Sequence, residues 1–399
     1  MGRGALASIV SVAMGLGLTA CGRDYTVGYL YMTTAESATG YVNGYKIDYQ
    51  YGYLVQLANS PITSGGRYPV NIVASPDHLS LYVANRDDSN VVHYLIGTDG
   101  KIYPQKTYNI SGSIVTDISL DSSGKFLYAT FTYQVTTLAD GTQEQFYTPA
   151  NPGPGGVSIF PVNSDGSLGT PTTYNLGRAP VKVSATSPNH FVYVIAQDTA
   201  TTANLFGFSQ NSSTGALTAL PGITINSGNV VSTGFTAATK PGGILVDSTG
   251  SHLYVTDNGG NNLLSYSIAS NGVPTLISTV KTGTAPMGMT IDSSGKYLYA
   301  ASYGDGAING YTFASNGAAV VSTVSASTQA GTGTTCVSTM NAPATGTPSH
   351  AVYLFASNQL SNNVTGTQLS TSDGSLRQIQ RNPAGGSALP TCLVTVPAL

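Results

Sequence analysis

Basic side chains recur in this sequence shortly before segments that begin at a proline and resemble short strands. One to five residues separate each base from the strand that follows it, and these bases are Arg67, Arg178, Lys240 and Lys281. Guanidinium and ammonium groups around one opening would attract an anion, and an arginine can bind a carboxylate or phosphate through two hydrogen bonds. The pattern therefore indicates a site for a small anionic ligand.

Acidic side chains recur at a second set of positions, in loops that follow a repeated tyrosine. They are Asp87, Asp88, Asp198, Asp257 and Asp305. One such carboxylate, placed in a pocket, could be the base that activates water in a hydrolase. Acids that alternate with bases on exposed loops could also simply neutralise them. The residues alone leave both interpretations open.

Histidine is the commonest general base, but the histidines of this chain are predicted to have no catalytic role. Four of them fall in turns expected to open on the face opposite the bases, namely His78, His190, His252 and His350. The fifth, His93, lies within a predicted strand and should be packed. Segments 85–90 and 257–261 are rich in Asp and Asn but match no calcium loop, and no zinc spacing is present. We therefore expect no metal and no cofactor.

The elements that must position these residues follow from a repeat. An aliphatic residue followed by tyrosine occurs seven times, at Tyr31, Tyr82, Tyr128, Tyr193, Tyr254, Tyr299 and Tyr353. This spacing of roughly 45–65 residues, filled with strand-forming residues and Gly/Asn/Ser turns, is typical of propeller blades. The sequence predicts an all-β, seven-bladed β-propeller of four-stranded antiparallel blades.

The two ends of the chain predict how the ring closes. The first tyrosine copy has no proline strand before it, whereas residues 390–396 form such a strand with no tyrosine after it. The C-terminal strand should therefore become the innermost strand of the first blade, which removes an open sheet edge. Residues 21–399 then form one propeller, interrupted by insertions at 131–154 and 221–240. Both insertions should emerge on the face that carries the bases.

Three segments resemble the consensus of YVTN-type repeats. They are residues 75–85, read Ser-Pro-Asp-His-Leu-Ser-Leu-Tyr-Val-Ala-Asn, and the related segments 121–129 and 292–300. The resemblance covers nearly all of the chain after residue 20 and is to the lactonase-like seven-bladed propellers, which include 6-phosphogluconolactonases. It implies the propeller fold and a possible lactone-hydrolysing activity. The repeat is specific for the fold and not for a reaction.

The N-terminus predicts export. Residues 1–20 contain one basic residue followed by an uncharged apolar stretch. This stretch is shorter than a typical transmembrane helix and is typical of a signal peptide. It leads into Leu18-Thr19-Ala20-Cys21, which resembles the lipobox of bacterial lipoproteins. The resemblance implies cleavage before Cys21 and its acylation, with the protein anchored to a membrane of the cell envelope. An ordinary secretory peptide is the alternative.

Composition limits the partners of the protein. The formal net charge is −3 and only 8% of residues are charged, which excludes the basic surface of a nucleic-acid-binding protein. Two cysteines remain besides Cys21. Cys336 and Cys392 fall on inner strands of neighbouring blades, where a disulfide would fasten the ring closure in an oxidising compartment, if their Cα atoms are close enough. The sequence leaves that bond open.

Three functions are compatible with these observations. The main hypothesis is an exported, lipid-anchored propeller that binds a small anionic ligand, a glycan or a protein on its loop-rich face. The alternative is a lactone hydrolase of the 6-phosphogluconolactonase type. A structural surface protein without a small-molecule site is the third.

Overall fold

The computed structural model describes residues 26–36, 38–110, 113–133, 155–186, 188–199, 201–225, 232–340 and 352–398. The predicted signal peptide and Cys21 lie outside these residues. So do residues 134–154, which make up most of the first predicted insertion, and 226–231 of the second.

Seven antiparallel sheets form the blades of a propeller, which confirms the predicted fold class. Blade 1 consists of β32 (Pro390–Pro397), β1 (Thr26–Ala35), β2 (Gly40–Asp48) and β3 (Leu54–Gln56). Blade 2 consists of β5 (Pro69–Ala74), β6 (Ser80–Asn85), β7 (Asn90–Ile96) and β8 (Ile102–Asn109). Blade 3 consists of β9 (Ser113–Leu120), β10 (Phe126–Tyr133), β11 (Gly155–Pro161) and β12 (Thr172–Asn175).

The other four blades follow in chain order. Blade 4 consists of β13 (Ala179–Ser184), β14 (Phe191–Thr199), β15 (Thr202–Gln210) and β16 (Leu217–Ala219). Blade 5 consists of β18 (Pro241–Val246), β19 (His252–Asp257), β20 (Asn262–Ile268) and β21 (Pro274–Lys281). Blade 6 consists of β22 (Pro286–Ile291), β23 (Leu298–Ser302), β24 (Ala307–Phe313) and β25 (Ala319–Val321). Blade 7 consists of β27 (Thr334–Met340), β28 (Tyr353–Asn358), β29 (Asn363–Leu369) and β30 (Leu376–Gln378).

Four two-residue strands extend the outer edges of individual blades by pairing with a third strand. They are β4 (Ile62–Thr63), β17 (Phe235–Thr236), β26 (Thr328–Gln329) and β31 (Ala384–Gly385). Within the described residues there is no helix, and hence none long and apolar enough to cross a membrane.

The C-terminal strand closes the ring as the sequence predicts. β32 pairs antiparallel with β1, from Gly28 opposite Pro397 to Thr34 opposite Pro390. Its other neighbours are the inner strands β27 and β5, so the first and last parts of the chain share one blade. Blade 1 therefore has an inner strand like the other six blades, and the ring of inner strands around the channel is complete.

The seven repeated tyrosines join each blade to the next. Each is at most 1% exposed and donates its hydroxyl hydrogen to a backbone carbonyl oxygen in the turn between the third and fourth strands of the following blade. The O···O distances are 2.6–3.0 Å, and the pairs are Tyr31–Gly100, Tyr82–Gly166, Tyr128–Gly215, Tyr193–Gly272, Tyr254–Gly317, Tyr299–Gly374 and Tyr353–Tyr49. The last pair joins blade 7 to blade 1.

Two features keep these hydroxyl bonds in place. Burial raises the pKa of the phenols, that of Tyr353 to about 12, so the donor hydrogen is retained at any physiological pH. The six acceptor glycines have φ between +71° and +84°, a region that side chains with a Cβ rarely adopt. The turn therefore presents its carbonyl oxygen to the neighbouring blade only because glycine allows the backbone to bend this way.

Apolar side chains of adjacent blades fill the space around the tyrosines. The cluster between blades 4 and 5 combines Tyr193 and Leu205 with Leu253, Val255 and Tyr266, all at most 2% exposed. Each fully buried aliphatic or aromatic side chain of this kind stabilises the fold by roughly 1.5–3 kcal/mol. The blades are therefore held together by apolar contact, and the repeated tyrosine adds a buried hydroxyl bond to each interface.

A Tyr193→Phe substitution should lower the free energy of unfolding by about 1–2 kcal/mol. It leaves the apolar packing intact but removes the hydroxyl and leaves the Gly272 carbonyl without this donor. Urea unfolding followed by circular dichroism measures the difference. Tyr103→Phe is the control because that side chain is 48% exposed. An equal, negligible change in both variants would contradict the role given to the repeated hydroxyl.

His93 is buried on β7, as expected of a packed histidine. Its ring is 2% exposed, stacks on Tyr82 at 5.2 Å between centroids, and has Nε2 3.0 Å from the Ser80 hydroxyl oxygen. Nδ1 is buried and has no hydrogen-bond partner within the described residues. Burial lowers the pKa of His93 below 6.5, although the nearby Asp165 carboxylate opposes this. The neutral ring is therefore the form that the fold accommodates.

The stability of the protein should decrease as the pH falls below about 6.5, because the unfolded chain then binds a proton that the folded His93 resists. The stability that neutral His93 contributes is fully present above the pKa of this histidine in the unfolded chain. Below that pKa it is lost at up to about 1.4 kcal/mol per pH unit, until the lower pKa of His93 in the folded protein is reached. Thermal unfolding of the wild type and of His93→Gln between pH 5 and 8 measures this. A wild-type curve parallel to that of the variant would contradict it.

Candidate functional site

The inner strands of all seven blades surround a central channel. The channel contains a cavity of about 870 Å³, large enough for a small organic molecule. β5, β9, β13, β18, β22, β27 and β32 each contribute side chains or backbone to its wall. The propeller thus offers one enclosed space to which residues far apart in sequence contribute together.

Every inner strand carries an irregularity in its pairing with the second strand of its blade. In blade 2, for example, Pro69 lies opposite Asn85 but Asn71 lies opposite Ala84, so that Val70 is an extra residue. Such a bulge redirects the side chains next to it. The residues that follow the extra residue form a ring on the channel wall, in blade order Cys392, Asn71, Asp117, Lys182, Gly243, Gly288 and Cys336.

One side of this ring is polar and charged. Asp117 accepts a hydrogen bond at Oδ1 from Nδ2 of Asn71 at 2.7 Å, and at Oδ2 from the backbone N–H of Val183 at 3.1 Å. The ammonium of Lys182 lies 3.7 Å from Oδ1 of the same carboxylate. Blades 2, 3 and 4 therefore place an amide, a carboxylate and an ammonium in direct contact inside the channel.

The charged pair of this group, Asp117 and Lys182, is largely shielded from solvent. The side chain of Asp117 is 5% exposed and that of Lys182 is 28% exposed. Water screens a pair of charges poorly in such a place, so their field acts strongly on a molecule in the cavity. The ammonium has donors left for a ligand, whereas both carboxylate oxygens of Asp117 already accept a hydrogen bond.

The other side of the ring has little side-chain volume. Gly243 and Gly288 let the inner strands of blades 5 and 6 approach closely: a Cβ on Gly243 would lie 2.9 Å from the Met287 carbonyl oxygen. Cys336 and Cys392 are joined in a disulfide between blades 7 and 1, with their Cα atoms 5.0 Å apart. A ligand at the charged side therefore faces glycine backbone and sulfur across the channel.

Further polar side chains surround the channel mouth. The guanidinium of Arg86 lies 3.7 Å from the centroid of the Tyr68 ring, and its Nε donates to Asp87 at 2.7 Å. Lys240 reaches the same cavity from the loop before β18. Among the described residues that line the cavity, three are cationic, namely Arg86, Lys182 and Lys240, and one is acidic, Asp117. Asp87, which bonds Arg86 at the mouth, offsets one of the three, so one positive charge remains in excess. The cavity therefore favours a ligand with negative charge.

The predicted bases and acids lie at the end of the propeller where this mouth opens, because each is in or next to a loop that precedes an inner strand or follows a second strand. Backbone hydrogen bonds tie these two loops together, from Arg86 N–H to Tyr68 and from Asn258 N–H to Lys240. Of the predicted bases and acids, Lys240 is the one on the cavity wall as far as the structure describes it.

The predicted acids mainly hold the loops in shape. Asp88 accepts hydrogen bonds from the guanidinium of Arg67 at 2.7 and 2.9 Å, and also from its backbone N–H. Asp257 accepts the backbone N–H of Lys240 at 3.0 Å, and Asp305 accepts that of Thr284 at 2.6 Å. These carboxylates replace missing backbone partners at a loop.

The remaining predicted residues lie apart from the cavity. Arg178 donates from Nε to the carbonyl oxygen of Ser232 at 2.9 Å. Lys281 is exposed at the end of β21, and Asp87 pairs with Arg86. Asp198 is at the end of β14, and its side chain lies outside what the structure describes. The geometry thus brings Lys240 to the cavity and leaves the others on the rim.

Sequence reasoning missed Asn71, Asp117, Lys182 and Arg86. The sequence does contain a signal for the first three of these residues. When the inner strands are aligned on their apolar residues, Asn71, Asp117 and Lys182 occupy one equivalent position, which is glycine or cysteine in the other blades. A strand has only two faces, however, and the position points to the channel only because a bulge precedes it. Arg86 does not belong to the predicted set of bases, because it follows a second strand, where the repeat places acids such as Asp87 and Asp88.

The family model for a seven-bladed β-propeller lactonase matches residues 208–339. The chain is a seven-bladed β-propeller, and this stretch of it is similar to the lactonase family. No curated protein sequence matches the chain.

Solved structures with a similar fold cover most of this chain. The periplasmic gluconolactonase of Pseudomonas aeruginosa has a TM-score of 0.70 at 16% identity, covering 93% of this chain and 99% of its own. A candidate 6-phosphogluconolactonase of Bacteroides fragilis has a TM-score of 0.67 at 15% identity, covering 92% and 98%. At such identities the structures establish the shared fold and leave the reaction to be argued from the site.

Proposed function

We propose that the protein hydrolyses the lactone of a sugar acid in its central channel. The observation that carries this proposal is the Asn71–Asp117–Lys182 group on the wall of a cavity in a lactonase-type propeller. This favours the second of the three functions compatible with the sequence over a pure binding module. The names of the similar structures, a gluconolactonase and a candidate 6-phosphogluconolactonase, support the same substrate class.

The proposed reaction adds water to the lactone carbonyl carbon. Asp117 accepts a proton as the water oxygen bonds to that carbon, and the ammonium of Lys182 stabilises the negative charge that develops on the carbonyl oxygen. The bond from the carbonyl carbon to the ring oxygen then breaks, the leaving alkoxide takes up a proton, and a hydroxy acid is formed. Asn71 acts as a positioning residue because its amide holds the carboxylate in place.

The cations around the mouth would select the substrate. Arg86 and Lys240 lie where a sugar acid enters, and an anionic substituent such as a phosphate would pair with them. A neutral lactone would lack that interaction and should bind more weakly. The ring-opened product carries one more negative charge than the substrate, so the same cations would also retain the product for a time.

Binding without turnover is the second candidate, and one observation favours it. Both carboxylate oxygens of Asp117 already accept a hydrogen bond, from the Asn71 amide and the Val183 N–H, and the Lys182 ammonium lies 3.7 Å from Oδ1. A water molecule at this carboxylate would have to share its oxygens with these donors. The rim would then present the same cavity to a small anion without hydrolysing it.

Lactone hydrolysis by purified full-length protein distinguishes the two. We expect turnover of 6-phosphogluconolactone above the spontaneous rate, and a fall of about 10²–10⁴-fold in kcat for Asp117→Asn and Lys182→Gln. The matched controls are Asp99→Asn and Lys101→Gln, an exposed ion pair on the turn before β8.

If all variants unfold at similar temperatures, the results distinguish hydrolysis from binding without turnover. Wild-type turnover that is unchanged in Asp117→Asn would exclude that carboxylate as the base. Tight binding of 6-phosphogluconate by calorimetry without any turnover would leave the binding function in its place. Loss of turnover in the Asp99 and Lys101 variants too would indicate a general loss of structure.

We propose further that the protein is exported and held at a membrane of the cell envelope by acylation of Cys21. The apolar stretch before Cys21 and the lipobox-like residues 18–21 support this. The Cys336–Cys392 disulfide fits an oxidising compartment. Partners would then be the membrane, through the lipid, and an anionic small molecule in the channel.

Labelling cells that express the full gene with radioactive palmitate should mark the protein, and Cys21→Ser should abolish the label and release the protein from the membrane fraction. Cys336→Ser is the control, because it also removes a cysteine but lies within the folded propeller, where that cysteine is bonded to Cys392. An unlabelled wild-type protein in the soluble fraction would contradict the lipid anchor.

A further inference from the structure

A second surface with binding chemistry lies on the outer side of the propeller, at the seam between blades 1 and 7. Tyr51 and Tyr53, in the turn that leads into β3, have nearly parallel rings, with ring centroids 6.2 Å apart and ring planes inclined by 15°. Tyr51 is 45% exposed, whereas Tyr53 is half-buried. The two rings form an aromatic platform whose solvent-exposed part is Tyr51, in contrast to the seven buried tyrosines of the repeat.

A cation from the neighbouring blade adjoins this platform. The guanidinium of Arg381, in the segment between β30 and β31, lies 4.8 Å from the centroid of the Tyr53 ring. Within the described part of the chain it makes no hydrogen bond and no ion pair, so its five N–H donors are available. An exposed arginine stacked on a tyrosine is held in place by the ring, yet can still bind an anion through two parallel hydrogen bonds.

A groove continues from Arg381 along the seam. Its cavity measures about 510 Å³, and its wall carries polar groups from Asn43, Gln56 and Ser387. Asn43 is buried and hydrogen-bonded to Ser387, whereas the exposed amide of Gln56 uses one N–H, toward the Ser60 carbonyl oxygen, and its oxygen accepts no hydrogen bond within the described residues. The surface therefore combines an aromatic ring pair, a cation and the exposed amide of Gln56.

We propose that this seam binds an acidic oligosaccharide, a chain of pyranose rings that carry carboxylates. Pyranose rings place C–H groups on one face, which pack on the exposed ring of Tyr51, while their hydroxyl groups match the amide of Gln56 in the groove. One carboxylate pairs with Arg381. A helical peptide would need an apolar groove instead, and this wall is polar.

The proposal is independent of the channel reaction, since the seam shares no residue with the channel wall. It gives the exported protein a second role, attachment to acidic polysaccharide outside the membrane. A substrate released from such a polysaccharide would then meet the channel at a raised local concentration.

Calorimetric titration of the full-length protein with a tetramer of galacturonic acid tests the proposal. The matched ligand is the same tetramer with its carboxylates reduced to primary alcohols. We expect the acidic tetramer to bind at least about tenfold more tightly than the reduced one, which corresponds to roughly 1.4 kcal/mol. Arg381→Gln should abolish this preference, and Tyr51→Ala should weaken the binding of both tetramers.

Lys106→Gln and Tyr103→Ala are the controls. Lys106 also lies near a tyrosine ring, 5.1 Å from that of Tyr108, but on the outer strand of blade 2. Both controls should bind like the wild type, and lactone turnover should be the same in all four variants. Failure of the acidic tetramer to bind, equal binding of both tetramers, or binding that Arg381→Gln and Tyr51→Ala leave unchanged would overturn the proposal, whatever the channel hydrolyses.

Discussion

The hydrogen bond from each repeated tyrosine to the next blade is the interaction on which the rest of the structure depends. A four-stranded blade has an apolar face on each side and cannot be stable alone, so the neighbours must be held at one fixed distance and angle. The buried hydroxyl contributes to this because its acceptor lies in a tight turn, and in six of the seven pairs that acceptor is a glycine at positive φ. Repeating the bond seven times, with Tyr353 reaching Tyr49, sets the diameter of the ring. The channel is a consequence of that diameter.

The channel chemistry depends on a second repeated feature, the bulge in every inner strand. Without it, the position of Asn71, Asp117 and Lys182 would not reach the channel wall in this arrangement. The same position is glycine in blades 5 and 6 and cysteine in blades 7 and 1. One backbone device is therefore used for three purposes around the ring: charge on one side, close strand approach on another, and covalent closure at the seam.

How far the sequence could predict this molecule follows from the range of the interactions involved. The tyrosine repeat and the orphan C-terminal strand predict seven blades and their closure, because they record local strand order. The rim acids could be placed at the right end of the propeller, yet the sequence could not say that Asp257 and Asp305 would bind backbone N–H groups. The channel group was missed because three blades, over a hundred residues of chain, contribute one side chain each. Only folding shows that they touch.

The central claim is that the charged side of the ring holds the sugar acid, and a crystal structure with 6-phosphogluconate tests it most directly. We expect density for one product molecule in the channel, with its carboxylate within about 3 Å of the Lys182 ammonium nitrogen and its phosphate at Arg86 and Lys240. An empty channel at saturating product concentration, or density bound elsewhere on the propeller, would contradict the account.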